Sequence, residues 1–276
     1  MPELPEVETV RRGMEQALLG LRIENVQINR YDLRIAVPQD LGQSLSGKAL
    51  CALERRGKYI VMNVGQDLCI ILHLGMSGRI RIYDNVTSYE ARKHDHIIVH
   101  MAGGACFAFE DPRRFGMFYL STQKQWQDER PFSIMGPEPL GAWNAQDLHE
   151  ALRKKKSPIK TALLDQRVVC GLGNIYVCEA LYRSGIHPGR AANSLSLEET
   201  RRLVPYIKDI LSEAIEAGGS TLKDYQHTDG SLGYFQHRFA VYDQEGEKCP
   251  VSECEGVIMR MVQSGRSTFY CGTCQE

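Results

Sequence analysis

Four cysteines near the end of the chain have the residue type and spacing of metal ligands. They occur as Cys249-x4-Cys254 and Cys271-x2-Cys274, with sixteen residues between the two pairs. Two such pairs of thiolates can surround one Zn²⁺ tetrahedrally, and four protein ligands leave no open position for catalysis. The runs VIMRMV and STFYC between the pairs predict two strands joined at QSGR, which places Arg266 near the tip of a zinc ribbon. We therefore predict one structural Zn²⁺ ion per chain.

The start of the chain, MPELPE, offers a second kind of chemistry. Removal of Met1 would leave Pro2 with a free secondary amine. An α-amino group titrates at about pH 8, so a fraction of the amine is unprotonated at cellular pH. Such an amine can attack a carbon electrophile. At a sugar carbon the product is a cationic Schiff base, which acidifies the adjacent C–H and permits elimination of phosphate. Glu3 lies beside the amine and can transfer protons. Many proteins begin with Met-Pro, so this pattern alone also fits an ordinary chain start.

Length and composition limit the class of protein. The 276 residues predict two or three domains, and 43% hydrophobic with 24% charged residues is typical of a globular protein. The net charge of −1 does not indicate nucleic-acid binding, although a protein of this charge can still bind nucleic acid if its basic residues lie on one face. Basic clusters occur at 92–94, 113–114 and 153–156, where solvated surface is the alternative interpretation. The sequence has no apolar run of membrane-spanning length and no signal peptide pattern, so we expect no membrane association and a cytoplasmic location.

The remaining five cysteines are scattered in apolar or mixed surroundings. In a reducing cytoplasm we expect them to be reduced, small, buried residues. They are Cys51, Cys69, Cys106, Cys170 and Cys178.

The first half of the chain predicts one helix followed by many short strands. The helix starts at Pro5, carries an apolar stripe and stops near Gly20. Short β-rich runs separated by turn residues then predict an antiparallel sandwich or barrel. These runs are 26–30, 58–64, 68–74, 79–83, 96–101, 105–109 and 116–120.

A segment rich in Pro and Gly, 131–143, predicts a linker, and the pattern after it is helical. Ser196 and Glu199 form a capping box at the start of the last helix, and Pro205 inside that helix predicts a kink or a split. Residues 220–240 resemble a long loop. The predicted helices are 145–156, 158–167, 174–184 and 197–217.

Motifs along the whole chain resemble the formamidopyrimidine-DNA glycosylase family. The resemblance implies an α+β fold: an N-terminal β-sandwich with a leading helix (1–134), a helix–two-turns–helix domain (135–242) and a C-terminal zinc ribbon (243–276). In this family DNA lies in the cleft between these parts. In chain order, the motifs are MPELPEVETVRRG, HLGMSGRIRI, KHDH, DPRRFG, GPEPL, GLGNIYVCEAL, GIHPGR, GGSTLKDY and GRSTFYCGTCQ.

The resemblance assigns catalytic roles to four residues. It makes Pro2 the nucleophile and Glu3 its acid/base partner. Lys58, in RRGKY, assists at the sugar and phosphate, and Arg266 grips phosphate beside the lesion. Asn174 opens the helix at GLGN, where backbone N–H groups and the helix dipole favour a phosphate oxygen.

Further residues match positions that contact DNA in this family. Met76, Arg113 and Phe115 match the residues that fill the gap left by an everted base, which an enzyme needs because it cannot reach C1′ inside a stacked duplex. Without the resemblance, Met76 and Phe115 would be interpreted as core residues. The other DNA-binding candidates are His94, Lys155, His73 and Lys160, and the candidates for lesion contact are Gly219, Ser220, Thr221 and Tyr225.

The function implied is a monomeric base-excision repair enzyme that acts on double-stranded DNA containing oxidised bases or abasic sites. It would remove oxidised purines through a Pro2 Schiff base and cut the strand by β,δ-elimination. An endonuclease VIII-type glycosylase for oxidised pyrimidines is one alternative, although that type begins MPEGPE rather than MPELPE. A non-catalytic zinc-ribbon DNA-binding protein is the other. The C-x4-C spacing departs from the commoner C-x2-C of the family.

Overall fold

The computed structural model describes residues 2–220 and 233–276. The chain divides into two units. The first comprises 1–133 and 217–234, and the second comprises 134–216 and 235–276. The boundaries at 134/135 and 242/243 stay predictions. Within the described residues, no helix is both long and apolar enough to cross a membrane.

The first unit begins with helix α1 (Leu4–Leu18), as the sequence predicts. Pro5 lies in its first turn, and a stripe of apolar side chains including Val7, Val10 and Met14 is buried. Gly20, just beyond the helix, has φ of +83°, a conformation that glycine adopts without the steric cost other residues incur.

Two antiparallel sheets of four strands form a sandwich after α1. They share one hydrophobic core, to which strands of both sheets and α1 contribute. A sandwich rather than a barrel is therefore the correct alternative. One sheet has the strand order β1 (Ile23–Ile28), β6 (Asp95–Met101), β7 (Cys106–Glu110), β5 (Arg79–Tyr83). The other has the order β2 (Leu50–Arg56), β3 (Tyr59–Val64), β4 (Leu68–His73), β8 (Met117–Thr122).

Among the α-helices and strands in the described residues of the first unit, helix α2 (Leu41–Leu45) and strand β2 were not predicted. The register of β2 against β3 shifts between Leu50 and Ala52, so a bulge interrupts the alternation of apolar residues that reveals a strand. Cys51 lies in this bulge and is exposed. Our expectation that it is buried was wrong, whereas the other four scattered cysteines are buried as expected.

The second unit contains four α-helices. The capping box at Ser196 is confirmed, because the Glu199 carboxylate accepts the Ser196 N–H at 2.8 Å and the Ser196 hydroxyl accepts the Glu199 N–H at 3.2 Å. The last helix is not split at Pro205. Its apolar face packs against two other helices, and this packing outweighs the one backbone hydrogen bond that proline removes. The helices are α3 (Ala145–Leu152), α4 (Ile159–Leu164), α5 (Asn174–Arg183) and α6 (Leu197–Glu216).

The chain ends in a hairpin of β9 (Ile258–Gln263) and β10 (Arg266–Cys271), which packs against α5. Ser264 and Gly265 form the turn with φ of 49° and 74°, the left-handed conformations that a tight hairpin turn requires. Arg266 therefore lies at the hairpin tip, as predicted. In the predicted loop 220–240, Phe235–Arg238 forms a short 3₁₀ helix.

Candidate active site

The N-terminal residues of the first unit are held by the Glu6 carboxylate. Its Oε2 accepts the backbone N–H of Glu3 at 2.9 Å. Its Oε1 accepts both the N–H of Ser220 at 2.8 Å and the Ser220 hydroxyl at 3.0 Å. Pro2 and Glu3 are buried, and Glu6 is only 2% exposed. We did not single out Glu6 from the sequence, although its position three residues after Glu3 is the spacing of a capping box.

Lys58 lies in the two-residue turn that joins β2 to β3. The register pairs Arg56 with Tyr59, so Gly57 and Lys58 form the turn, and Gly57 has φ of +57°. The Lys58 side chain is largely buried, with 8% exposed. Strands β2 and β3 thus hold this lysine at one end of the β2-β3-β4-β8 sheet.

His73 ends β4 and lies opposite Tyr59 of β3, with ring centroids 4.5 Å apart. Its Nδ1 accepts the N–H of Gly75 at 3.0 Å, so the neutral ring carries its proton on Nε2. Burial, with the nearby charges of Lys58 and Arg34, lowers the pKa of His73 from 6.5 to about 4. At neutral pH His73 is therefore an uncharged hydrogen-bond donor rather than a cation.

Asp111 joins the two loops that carry the predicted gap-filling residues, namely 74–78 between β4 and β5 and 111–116 between β7 and β8. One carboxylate oxygen accepts the Ser77 hydroxyl at 2.6 Å, and the other accepts the N–H of Gly116 at 2.7 Å. Ser77 in turn accepts the N–H of Arg113 at 3.1 Å. A Cβ placed on Gly75 would lie 2.5 Å from the backbone of Gly116, so the loops are in close contact. We infer that they form one rigid element.

The three predicted gap-filling side chains lie on these joined loops. Phe115 is 43% exposed, which is unusual for a large aromatic residue. The guanidinium of Arg113 lies 5.1 Å from the centre of the Phe115 ring, a cation–π contact. Met76 is half-buried. The structure thus brings together residues that are separated by almost forty positions in the sequence.

The segment before His94 is fixed by Asp95. The Asp95 carboxylate pairs with Arg81 of β5 and accepts the Tyr89 hydroxyl at 3.0 Å and the Arg92 N–H at 2.9 Å. Asp95 is 2% exposed, whereas His94 is half-buried. The buried ion pair positions the loop, and the loop presents His94.

In the second unit, the buried position of Lys160 differs from our prediction that this residue contacts DNA. Its side chain is fully buried, and its Nζ donates to the Ser267 carbonyl at 3.0 Å and the Thr268 hydroxyl at 2.7 Å. The side-chain amide of Asn174 donates to the same Ser267 carbonyl at 2.9 Å. Because α4 packs its lysine against β10, Lys160 supports the ribbon beside Arg266 and is not available to a phosphate.

Lys155 is half-buried and forms an ion pair with Asp165 at 2.9 Å. Asp165 also pairs with Arg167, and hydrogen bonds from Arg167 and Lys155 hold the pKa of Asp165 well below its usual range. A phosphate would compete with this carboxylate for Lys155. The neighbouring Arg153, Lys154 and Lys156 are exposed.

The four ribbon cysteines form a site that fits Zn²⁺. Their sulfur atoms lie within 4.8 Å of one another, with Cys249 to Cys274 at 3.6 Å and Cys254 to Cys271 at 3.8 Å. A tetrahedral zinc with Zn–S bonds of about 2.3 Å places its sulfurs about 3.8 Å apart. The distances are too long for disulfides. The donor set therefore fits one structural zinc ion.

Fold and site together define an α+β protein with a zinc ribbon and a buried N-terminal cluster. Three family models match: the formamidopyrimidine-DNA glycosylase N-terminal domain (1–118), its H2TH domain (135–226) and the zinc finger found in FPG and IleRS (246–276). The chain belongs to the formamidopyrimidine-DNA glycosylase family. Our family, fold and zinc predictions are confirmed, as is the enzyme class, a DNA glycosylase in base excision repair.

Relatives match along their whole length. Formamidopyrimidine-DNA glycosylases of Roseobacter denitrificans and Jannaschia sp. are 50% and 49% identical, with 100% of each chain covered. A point mutant of the Lactococcus lactis enzyme, solved with DNA containing Fapy-dG, has a TM-score of 0.91 at 35% identity, with both chains fully covered. The L. lactis enzyme has also been solved with DNA containing an abasic site, with a TM-score of 0.91 at 35% identity and full coverage.

Proposed function

We propose that this chain is a bifunctional DNA glycosylase and AP lyase that excises 8-oxoguanine and formamidopyrimidines from double-stranded DNA, with Pro2 as nucleophile. The observation that carries the proposal is the buried cluster at the chain start, where Glu6 holds the backbone of Glu3 beside Pro2. An amine held by the following residues needs little reorganisation to attack a sugar carbon. The L. lactis complex with Fapy-dG supports the choice of oxidised purines.

The proposed reaction starts after removal of Met1. The lone pair of the Pro2 nitrogen attacks C1′, and the bond from C1′ to the damaged base breaks. Glu3 transfers protons to and from the sugar, so the deoxyribose opens to a cationic Schiff base. Loss of a C2′ proton then expels the 3′ phosphate, and a second elimination expels the 5′ phosphate. Water then hydrolyses the imine, which breaks the bond between the Pro2 nitrogen and C1′ and releases the sugar remnant, and a one-nucleotide gap with phosphate at both ends remains.

Other residues bind the DNA backbone. Lys58 supplies a cation at the sugar and phosphate, and neutral His73 donates through Nε2–H. On the second unit, Arg266 at the exposed ribbon tip and the N-terminus of α5 at Asn174 bind phosphate. Lys160 takes part only by supporting the ribbon strand that bears Arg266.

The joined loops fill the gap left by the flipped nucleotide. Met76 and Phe115 replace lost stacking, and Arg113 bonds the orphaned base.

Further residues contact DNA outside the gap or the lesion itself. His94 and Lys155 contact DNA outside the gap, and Lys155 does so after its ion pair with Asp165 breaks. Gly219 and Ser220 lie next to the everted base, while Thr221 and Tyr225, also candidates for lesion contact, lie outside the described residues.

Borohydride trapping tests the proposal. We expect a covalent adduct between the chain and an oligonucleotide with 8-oxoguanine opposite cytosine, with a mass that places the DNA on a chain lacking Met1. A non-catalytic binding protein would give no adduct. An active protein that retained Met1 or carried an acetyl cap would disprove the Pro2 mechanism.

Substrate preference needs a second comparison, because the L. lactis enzyme has also been solved with DNA containing an oxidised pyrimidine. We expect 8-oxoguanine opposite cytosine to be cut faster than thymine glycol opposite adenine. The reverse order would favour the endonuclease VIII type. We further propose that the protein acts as a monomer on DNA of the bacterial nucleoid, in the cytoplasm.

A further inference from the structure

The carboxylate of Glu8, in α1, interacts with three arginines. Its oxygens accept hydrogen bonds from Arg11 at 3.0 Å, from Arg12 at 2.9 Å and from Nε of Arg55 at 3.1 Å. Burial acts to raise the pKa of Glu8, but hydrogen bonds and charge from the arginines, chiefly Arg11, lower it overall. Glu8 is therefore an ionised anchor inside the first unit.

Arg55 extends this anchor to the turn that carries Lys58. While its Nε bonds Glu8, its NH1 donates to the carbonyl of Gly57 at 3.0 Å. The side chains of Arg55 and Glu8 are only 11% and 12% exposed, so both bonds are shielded from water. A planar guanidinium can hold two acceptors in fixed directions at once, which a lysine cannot do.

The Gly57 carbonyl belongs to the peptide group that ends at the nitrogen of Lys58. That group is planar, so holding its oxygen fixes the orientation of the bond into Lys58. Gly57 itself has φ of +57° and no side chain to restrict the turn. The Arg55 bond thus supplies a restraint on Lys58 that the glycine does not.

The contact between α1 and the sheet does not depend on Arg55 alone. Arg11 donates from the same helix to the carbonyl of Leu53 in β2 at 3.1 Å. Loss of Arg55 should therefore leave α1 in place and disturb mainly the turn.

We propose that Arg55, anchored on Glu8, is a positioning residue that holds Lys58 in register with the helix that follows Pro2. This inference rests on the proposed role of Lys58. It does not make Arg55 a catalytic residue, because Arg55 acts through the turn.

A double-mutant comparison tests this. Single-turnover excision of 8-oxoguanine, with enzyme in excess, is measured for the wild type, Arg55→Ala, Lys58→Ala and the double variant. We expect Arg55→Ala to be roughly 10- to 100-fold slower, as for a small misplacement of a reacting group. In the Lys58→Ala background the same change should alter the rate by less than about twofold, since residues acting as a unit are not additive.

Arg12→Ala is the matched control. Arg12 donates to the same carboxylate but is 57% exposed, and in the described part of the chain it makes no hydrogen bond to the turn. The Arg12→Ala variant should therefore excise 8-oxoguanine at the wild-type rate. Should Arg55→Ala fail to fold, Arg55→Lys replaces it, because an ammonium lacks the rigid planar fork through which Nε and NH1 reach Glu8 and Gly57 in fixed directions. The same non-additivity with Lys58→Ala is expected.

Two results would overturn the proposal: wild-type rates in the Arg55 variant, or an equal loss in the presence and absence of the Lys58 side chain. Absence of any adduct with the wild type would instead refute the proposed function, so the two failures are distinguishable.

Discussion

The Glu6 carboxylate and the Ser220 N–H lie 2.8 Å apart, although the two residues are 214 positions apart in the chain. This bond joins the segment that bears Pro2 to the residues directly before 221–232. A change at either end should therefore affect both the proposed nucleophile and the segment that we propose lies next to the flipped base.

Replacement of Glu6 by Gln should destabilise the protein by about 1–3 kcal/mol. Both carboxylate oxygens accept backbone N–H groups, so the amide NH₂ of Gln must face one donor in either orientation. Chemical denaturation measures the loss. The exposed Glu24→Gln should unfold like the wild type, and equal stability of the two variants would contradict the role of Glu6.

Pro2→Gly should bind DNA containing a tetrahydrofuran abasic analogue with near wild-type affinity but excise 8-oxoguanine at least about 100-fold more slowly. Glycine provides a primary amine on a backbone that the proline ring no longer restricts. Gel-shift titration and single-turnover assays separate binding from chemistry. Wild-type excision by this variant would remove Pro2 from the mechanism.

Gly75→Ala should be destabilising and should weaken base eversion. Its φ of +63° disfavours alanine, and the new Cβ would meet the backbone of Gly116 and Phe115. Gly103→Ala is the control, since it has φ of +87° with open space around the Cβ and should lose only about 1–2 kcal/mol from backbone strain. Denaturation and 2-aminopurine fluorescence beside the lesion measure the two effects. An equal loss in both variants would refute a tight contact between the loops.

His73 should stay neutral down to about pH 4. Its pKa is lower in the folded state, so the unfolded chain binds more protons between pH 6.5 and 4, and stability falls as pH falls through that window. The fall should be smaller in His73→Asn. Imidazole ¹⁵N NMR should show the Nε2–H form at neutral pH, and a cation at pH 6 would contradict this prediction.

Cys254→Ser should remove the zinc and unfold the ribbon, because a small hairpin has little core of its own. Bound zinc should fall well below one ion per chain, proteolysis should become fast within 246–276, and DNA binding should weaken through Arg266. Cys51→Ser, at an exposed cysteine outside the cluster, should keep its zinc. Full zinc occupancy in Cys254→Ser would contradict the four-thiolate site.

Much of the fold could be predicted from local patterns. Short β-rich runs separated by turn residues marked seven of the eight sandwich strands, and the capping box at Ser196 marked the start of α6. Strand β2 escaped because its bulge at Cys51 breaks the alternation. The helix predicted over 145–156 ends at Leu152, since the basic residues that follow have no apolar face to bury.

The sequence by itself determined the zinc ligands, the capped helices, most strands and the family, because these depend on residue type and short spacing. Only the tertiary structure decided that Lys160 is buried under the ribbon, that Glu6 binds Ser220 and that Arg55 holds the turn of Lys58. Each of these depends on which distant segments pack together and therefore on which polar groups lose water. A polar contact between distant segments, unlike a buried apolar stripe, leaves no periodic trace in the sequence.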